Sequence, residues 1–120
     1  MELKFDKIEH TLVVYIIGDI DHHTSEIIKN TCNRELKRKH CKNIIFDMTM
    51  VSFMDSSGIG MLIGRYKETE IFGGIVMATG ISSVLDKIFQ LSGLYKIIKC
   101  FPTTEEAVTF INYKDMGGLA

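Results

Sequence analysis

Asn43-Ile-Ile-Phe-Asp-Met-Thr-Met-Val-Ser-Phe-Met-Asp-Ser-Ser-Gly-Ile-Gly-Met-Leu-Ile-Gly64 changes its hydrophobic period partway along, and that change decides the fold. Residues 43–48 form a short apolar run, the pattern of a buried strand. From Gly58 to Ile71 the apolar residues Ile59, Leu62, Ile63 and Tyr66 recur at three- and four-residue spacings, the stripe of an amphipathic helix. Residues 49–56 between them read as a loop. Strand, polar loop and helix make one half of an α/β unit. Gly60 and Gly64, four apart, predict a close contact between this helix and the sheet.

Towards the N-terminus, residues 3–9 alternate strictly, as a half-buried strand does, and residues 12–17 are a continuous β-branched run. With His10-Thr11 between them they predict an antiparallel hairpin. Gly18 to His23 breaks the pattern, and Ile27, Ile28, Thr31, Cys32 and Leu36 then place a helix to about Lys39. Either Asp21 or Thr24 could cap it. Towards the C-terminus, Gly73-Gly74 turns into a strand over 75–79. Ser82 is a cap for a helix through Val84, Leu85, Ile88 and Phe89, which Ser92-Gly93 ends. A last strand is expected over Tyr95–Cys100. Thr103 with Glu106 is a capping box before a final helix carrying Ala107, Val108, Phe110 and Ile111. The order is β-β-α-β-α-β-α-β-α. It predicts a single α/β domain over 1–120, an N-terminal antiparallel hairpin joined to a mostly parallel sheet by right-handed crossovers. Its core spans about 3–112, with a frayed tail at 113–120.

Composition narrows the functional classes. At 120 residues, 46% hydrophobic and 24% charged, the chain can bury a core without disulfide or metal staples. A net charge of −1 gives no electrostatic reason for direct nucleic-acid binding or attachment to an anionic membrane. The longest apolar run, Leu12–Ile17, is far too short to span a bilayer, and residues 1–10 lack the pattern of a signal peptide. Cys32, Cys41 and Cys100 are odd in number and form no CxxC pair, as expected of reduced thiols in the cytoplasm.

The segment Val51–Gly60 holds the candidate chemistry. Loops at the carboxyl ends of parallel strands are where α/β proteins place their sites. A hydroxyl at a helix start is ordinarily an N-cap, and either Ser56 or Ser57 could fill that role. A helix N-terminus also favours an attached anion, so a phosphate on Ser57 could be held there without disrupting the domain. Asp19, Asp21, His22 and His23 invite a metal or acid–base reading. Adjacent histidines do not face one another on a helix, however, and no partner pair recurs downstream at ligand spacing, so a polar turn with a capping carboxylate is expected. Asp21 and Asp55 could nevertheless flank one serine and form a recognition surface. Gly58-Ile-Gly-Met-Leu-Ile-Gly64 is not GxGxxG, and there is no phosphate-cradling lysine motif and no GxSxG elbow. His10 and His40 give no basis for a hydrolytic triad. The basic stretch Lys29, Arg34, Lys37, Arg38, Lys39 and Lys42 lacks interleaved aromatics and reads as a solvated helix end.

Gly18-Asp-Ile-Asp-His-His-Thr24, Phe53-Met-Asp-Ser-Ser-Gly-Ile-Gly60, Gly64-Arg-Tyr-Lys67 and Leu91-Ser-Gly-Leu94 together resemble the anti-sigma factor antagonists of the STAS superfamily. The resemblance covers about residues 3–110 and lies nearest the sporulation branch, which acts on the sigma-F pathway. It implies a STAS-type α/β domain with four helices, and a regulatory protein instead of an enzyme. It implies that Ser57 is phosphorylated by a nucleotide-loaded anti-sigma factor serine kinase and dephosphorylated by a PP2C-type serine phosphatase. The unphosphorylated form would bind the anti-sigma factor and release the sigma factor, with Asp21, Asp55, Ser56 and Gly58 on the kinase-facing surface. No cofactor, metal, nucleic-acid or membrane partner is implied. Two rivals are an antagonist in a stress-response partner-switching pathway and a small nucleotide-binding protein built on the Asp55–Gly60 loop.

Overall fold

A computed structural model describes residues 1–117 and contains β1 (Glu2–Ile8), β2 (Thr11–Ile17), α1 (His22–Lys39), β3 (Asn43–Met50) and α2 (Ser56–Ile71). These are followed by β4 (Val76–Thr79), α3 (Ser83–Ser92), a single 3-10 turn (Leu94–Lys96), β5 (Lys99–Phe101) and α4 (Thr104–Asp115). The sheet order is β1-β2-β3-β4-β5, with β1 antiparallel to β2 and every other pair parallel. Each crossover from β2 onwards therefore steps in the same direction. Right-handed connections then put α1, α2 and α3 on one face of the sheet. That face buries Leu12, Val14, Ile16, Ile28, Ile44, Phe46, Leu62, Leu85 and Phe89 in one apolar cluster. Burying a side chain such as Leu62 contributes about 1.5–3 kcal/mol before entropy is counted. Only α4 remains for the opposite face, where Ala107 and Ile111 pack on Val13, Ile45 and Met77. Alternate residues of β2 and β3 thus serve two cores, which is why both strands read as continuous apolar runs.

The element order follows the sequence expectation; most boundaries agree to within two residues, and the larger differences have physical causes. β3 runs two residues beyond Met48, because a register shift between Tyr15 and Ile17 of β2 lets Met50 pair with Ile17 and accept a hydrogen bond from Gly18 N at 3.0 Å. The strand expected over Tyr95–Cys100 is instead the 3-10 turn and a three-residue β5. Gly93 ends α3 at φ 80°, and the turn that follows buries Leu94 and Ile98, four residues apart. α4 continues to Asp115, so residues 113–115 are helical where fraying was expected; residues 118–120 of that predicted tail lie outside the described residues. Thr103 caps α4, accepting from Glu106 N at 3.2 Å, but the return bond that would complete the expected box is not formed.

Candidate functional site

Two loops at the carboxyl ends of β2 and β3 are joined by backbone. Ile20 and Met54 form an isolated parallel bridge, with Ile20 N donating to Phe53 O at 3.0 Å and Asp55 N to Ile20 O at 3.1 Å. Ile20 and Met54 are both buried, so the bridge is also an apolar clasp. It leaves Asp21 and Asp55, each the residue after a bridge partner, as the last extended residues before α1 and α2. The two helices therefore start side by side.

Each start is capped by its aspartate. The Asp21 carboxylate accepts from Thr24 N at 2.9 Å while Thr24 Oγ1 accepts from Asp21 N at 2.8 Å, a reciprocal capping box. Both Asp21 and Thr24, the alternatives left open by the sequence, thus take part. The bonds from the Thr24 amide and hydroxyl hold the exposed Asp21 carboxyl below its ordinary range. In the second loop Asp55 Oδ1 accepts from Ser57 N at 2.9 Å and Gly58 N at 3.4 Å. This corrects the expectation of a hydroxyl cap: neither Ser56 nor Ser57 caps α2, and both hydroxyls are left over. Ser56 is exposed and Ser57 half-buried. Ser57 Oγ lies 3.5 Å from Nδ1 of His22, across the seam between the helices. Neither helix has an acidic residue in its first turn, so only the two capping carboxylates offset the positive ends of the dipoles.

Gly58 is required by packing. A Cβ there would meet Met54 Cβ at 3.0 Å and Ile20 Cγ2 at 3.1 Å, the side chains of the bridge itself. Gly60 and Gly64 behave in the opposite way. A Cβ at either would meet nothing within 4 Å, which corrects the close helix–sheet contact expected of them. They line an open groove between α1 and α2. Among the described residues no three His, Cys, Asp or Glu side chains gather as a metal site would need; Asp21 and His22 are spent on capping and on Ser57.

Two features escaped the sequence reading. Nothing near His22 in the sequence signals Ser57: its approach spans 35 positions and depends on the Ile20–Met54 bridge. Met50 and Phe53, at the end of β3 and in the loop leading to the serines, are large apolar side chains left 62% and 51% exposed. A bulky aromatic two residues before the Asp55-Ser56-Ser57 run, next to Ser52, was the available signal for that exposure. No helix of the described residues is long and apolar enough to cross a membrane.

The STAS domain family model matches residues 2–107. An anti-sigma F factor antagonist of Paenibacillus polymyxa is 31% identical over 111 residues, covering 91% of this chain and 95% of its own. One from Lysinibacillus sphaericus is 36% identical over 84 residues, covering 70% and 72%. The Bacillus cell fate determinant SpoIIAA in its phosphorylated form superposes with a TM-score of 0.72 at 31% identity, covering 92% of this chain and 99% of that one. The unphosphorylated form of the anti-sigma factor antagonist SpoIIAA gives a TM-score of 0.74 at 27% identity, covering 92% and 98%.

Proposed function

Because the chain belongs to the STAS-domain family, among its anti-sigma factor antagonists, we propose that it is a phosphorylation-switched binding module of the sigma-F type. Unphosphorylated, it docks on a nucleotide-loaded anti-sigma factor and frees the sigma factor. The anti-sigma factor, acting as a serine kinase, transfers the γ-phosphoryl group of ATP to Ser57 Oγ; the hydroxyl proton leaves and ADP is released. A PP2C-type phosphatase restores the hydroxyl by hydrolysis. The chain is then a substrate and partner, not an enzyme, and works in the cytoplasm.

The observation that carries this reading is the unused Ser57 hydroxyl at the start of α2, whose capping duty Asp55 has taken over. Phosphorylation there costs the fold no cap. The added group lies at a helix N-terminus beside His22, so the domain needs no rearrangement to hold it. Docking is a different matter. Asp21, Asp55 and Ser56, with exposed Met50 and Phe53, make the partner face; Gly58, expected on that face, is buried against Ile20 and Met54 and acts from beneath it by shaping the turn. A phosphate adds about −1.5 to −2 charges. Burying it beside two carboxylates costs several kcal/mol, and each 1.4 kcal/mol or so is a tenfold loss of affinity. The switch is local and electrostatic.

Intact-mass measurement after incubation with a sigma-F-type anti-sigma kinase and ATP tests the reading. One phosphate is expected on the wild type and on Ser56→Ala, and none on Ser57→Ala. If no protein is modified, the sigma-F assignment fails; if Ser57→Ala is modified and Ser56→Ala is not, the site assignment fails.

A further inference from the structure

Below Ser57, the groove between α1 and α2 has a volume of about 270 Å³ and contains two buried polar groups without partners. Arg65 on α2 is only 4% exposed. Its Nη1 bonds to Asn33 Oδ1, but its Nε meets no acceptor. Ser25 on α1, 6% exposed, has an Oγ that is likewise unpaired. Among the described residues no carboxylate stands within ion-pair distance of Arg65. Cys32 gives it no thiolate, since burial pushes that thiol up to about 12. A guanidinium cannot shed its proton to escape such a setting, so it keeps its full charge where charge is most costly.

The rest of the groove suits an anion. Lys29 lines it, one turn of α1 beyond Ser25; Ser57, Met61 and Arg65 line it from α2, and Gly60 and Gly64 between them add no side chain to that wall. Glu26 also lines it, unbonded to either cation. We propose that this groove is a binding site for a small tetrahedral oxyanion of the phosphate class, held by Arg65, Ser25 and Lys29. The guanidinium supplies directed donors, the serine hydroxyl a further one, and Lys29 a mobile cation at the mouth. This assigns a role to the Gly64-Arg65 pair that the switch at Ser57 does not use. The site needs no phosphorylated serine, and it stands or falls separately from the proposed function.

The test uses the unphosphorylated full chain, isotopically labelled, titrated with inorganic phosphate and, separately, with glycerol phosphate. Chloride at matched ionic strength serves as the control. Saturable shifts of the Arg65 Nε–H and of the Ser25, Lys29, Gly60 and Gly64 amides are expected with phosphate and not with chloride. Response to glycerol phosphate as well assigns the site to phosphomonoesters; response to phosphate alone assigns it to the free ion. Removing Arg65 threatens the fold, so the variants act on the wall and mouth. Gly64→Leu, which gains helix propensity and has open space, should abolish saturation; Lys29→Gln should weaken binding about tenfold, one charge-assisted hydrogen bond's worth. Glu26→Gln should tighten it. Phosphate shifts that match chloride, or an affinity unchanged in both Gly64→Leu and Lys29→Gln, would overturn the proposal.

Discussion

The starts of α1 and α2 are built alike and finish differently. Both follow a bridge residue, both are capped by aspartate, and both leave the first helical turn without acid. In α1 the residue three beyond the cap is Thr24, whose hydroxyl bonds back to Asp21 and is consumed. In α2 the equivalent residue is Gly58, which has no side chain to return, and the adjacent Ser57 hydroxyl is left facing a histidine across the seam. One start is closed upon itself, and the other leaves a hydroxyl that caps nothing. The difference comes from the glycine, which the Ile20 and Met54 side chains demand for steric reasons.

The contrast can be broken most strongly by putting charge on the open start. Ser57→Asp should weaken anti-sigma factor binding by about 3 kcal/mol, on the order of a hundredfold, while Ser57→Ala keeps it. Calorimetric titration of both variants decides this, and equal affinities would remove the electrostatic account. Next is Gly58→Val, which forces side-chain volume into the bridge. A loss of about 2–3 kcal/mol in urea unfolding is expected from overpacking. Asp55→Ala sharpens the comparison at smaller scale. It removes the α2 cap and should cost about 1 kcal/mol, with Ser57→Ala costing far less because that hydroxyl caps nothing.

The subtlest effect is one of pH, at the closed start. Asp21 is held low in the folded chain by Thr24, so its stabilising contribution is complete above the unfolded carboxylate range. It is lost as pH falls through the lowered folded value. Wild type and Asp21→Asn should therefore differ in denaturation midpoint at neutral pH and converge in acid. A gap that stays constant down to the acid limit would show that the box does not shift Asp21.

The same contrast explains what could be read in the chain. The hairpin, the strand–helix alternation and the Ser82 and Thr103 caps depend on neighbours a few residues apart, and their residues announce them. The α2 cap does not. Serine is a good cap by propensity, but the Ile20–Met54 bridge makes Asp55 the final extended residue, and that bridge joins positions 34 apart. The approach of His22 to Ser57 was hidden for the same reason. Gly60 and Gly64 misled in another way, because small residues signal a nearby neighbour or an open surface equally well. The 3-10 turn at Leu94 passed for strand because its apolar residues carry no period over so short a span.

The clasp between the two loops also determines how Ser57 can be approached. Its backbone is pinned on one side by the Ile20–Met54 bridge and on the other by the first turn of α2, so it cannot be drawn out as an extended strand into an enzyme's cleft. Under the proposed function, the kinase must come to a folded surface and read shape across residues distant in the chain, such as His22 and Ser57. A short synthetic peptide copying 51–60 would carry every letter of the site and none of its address.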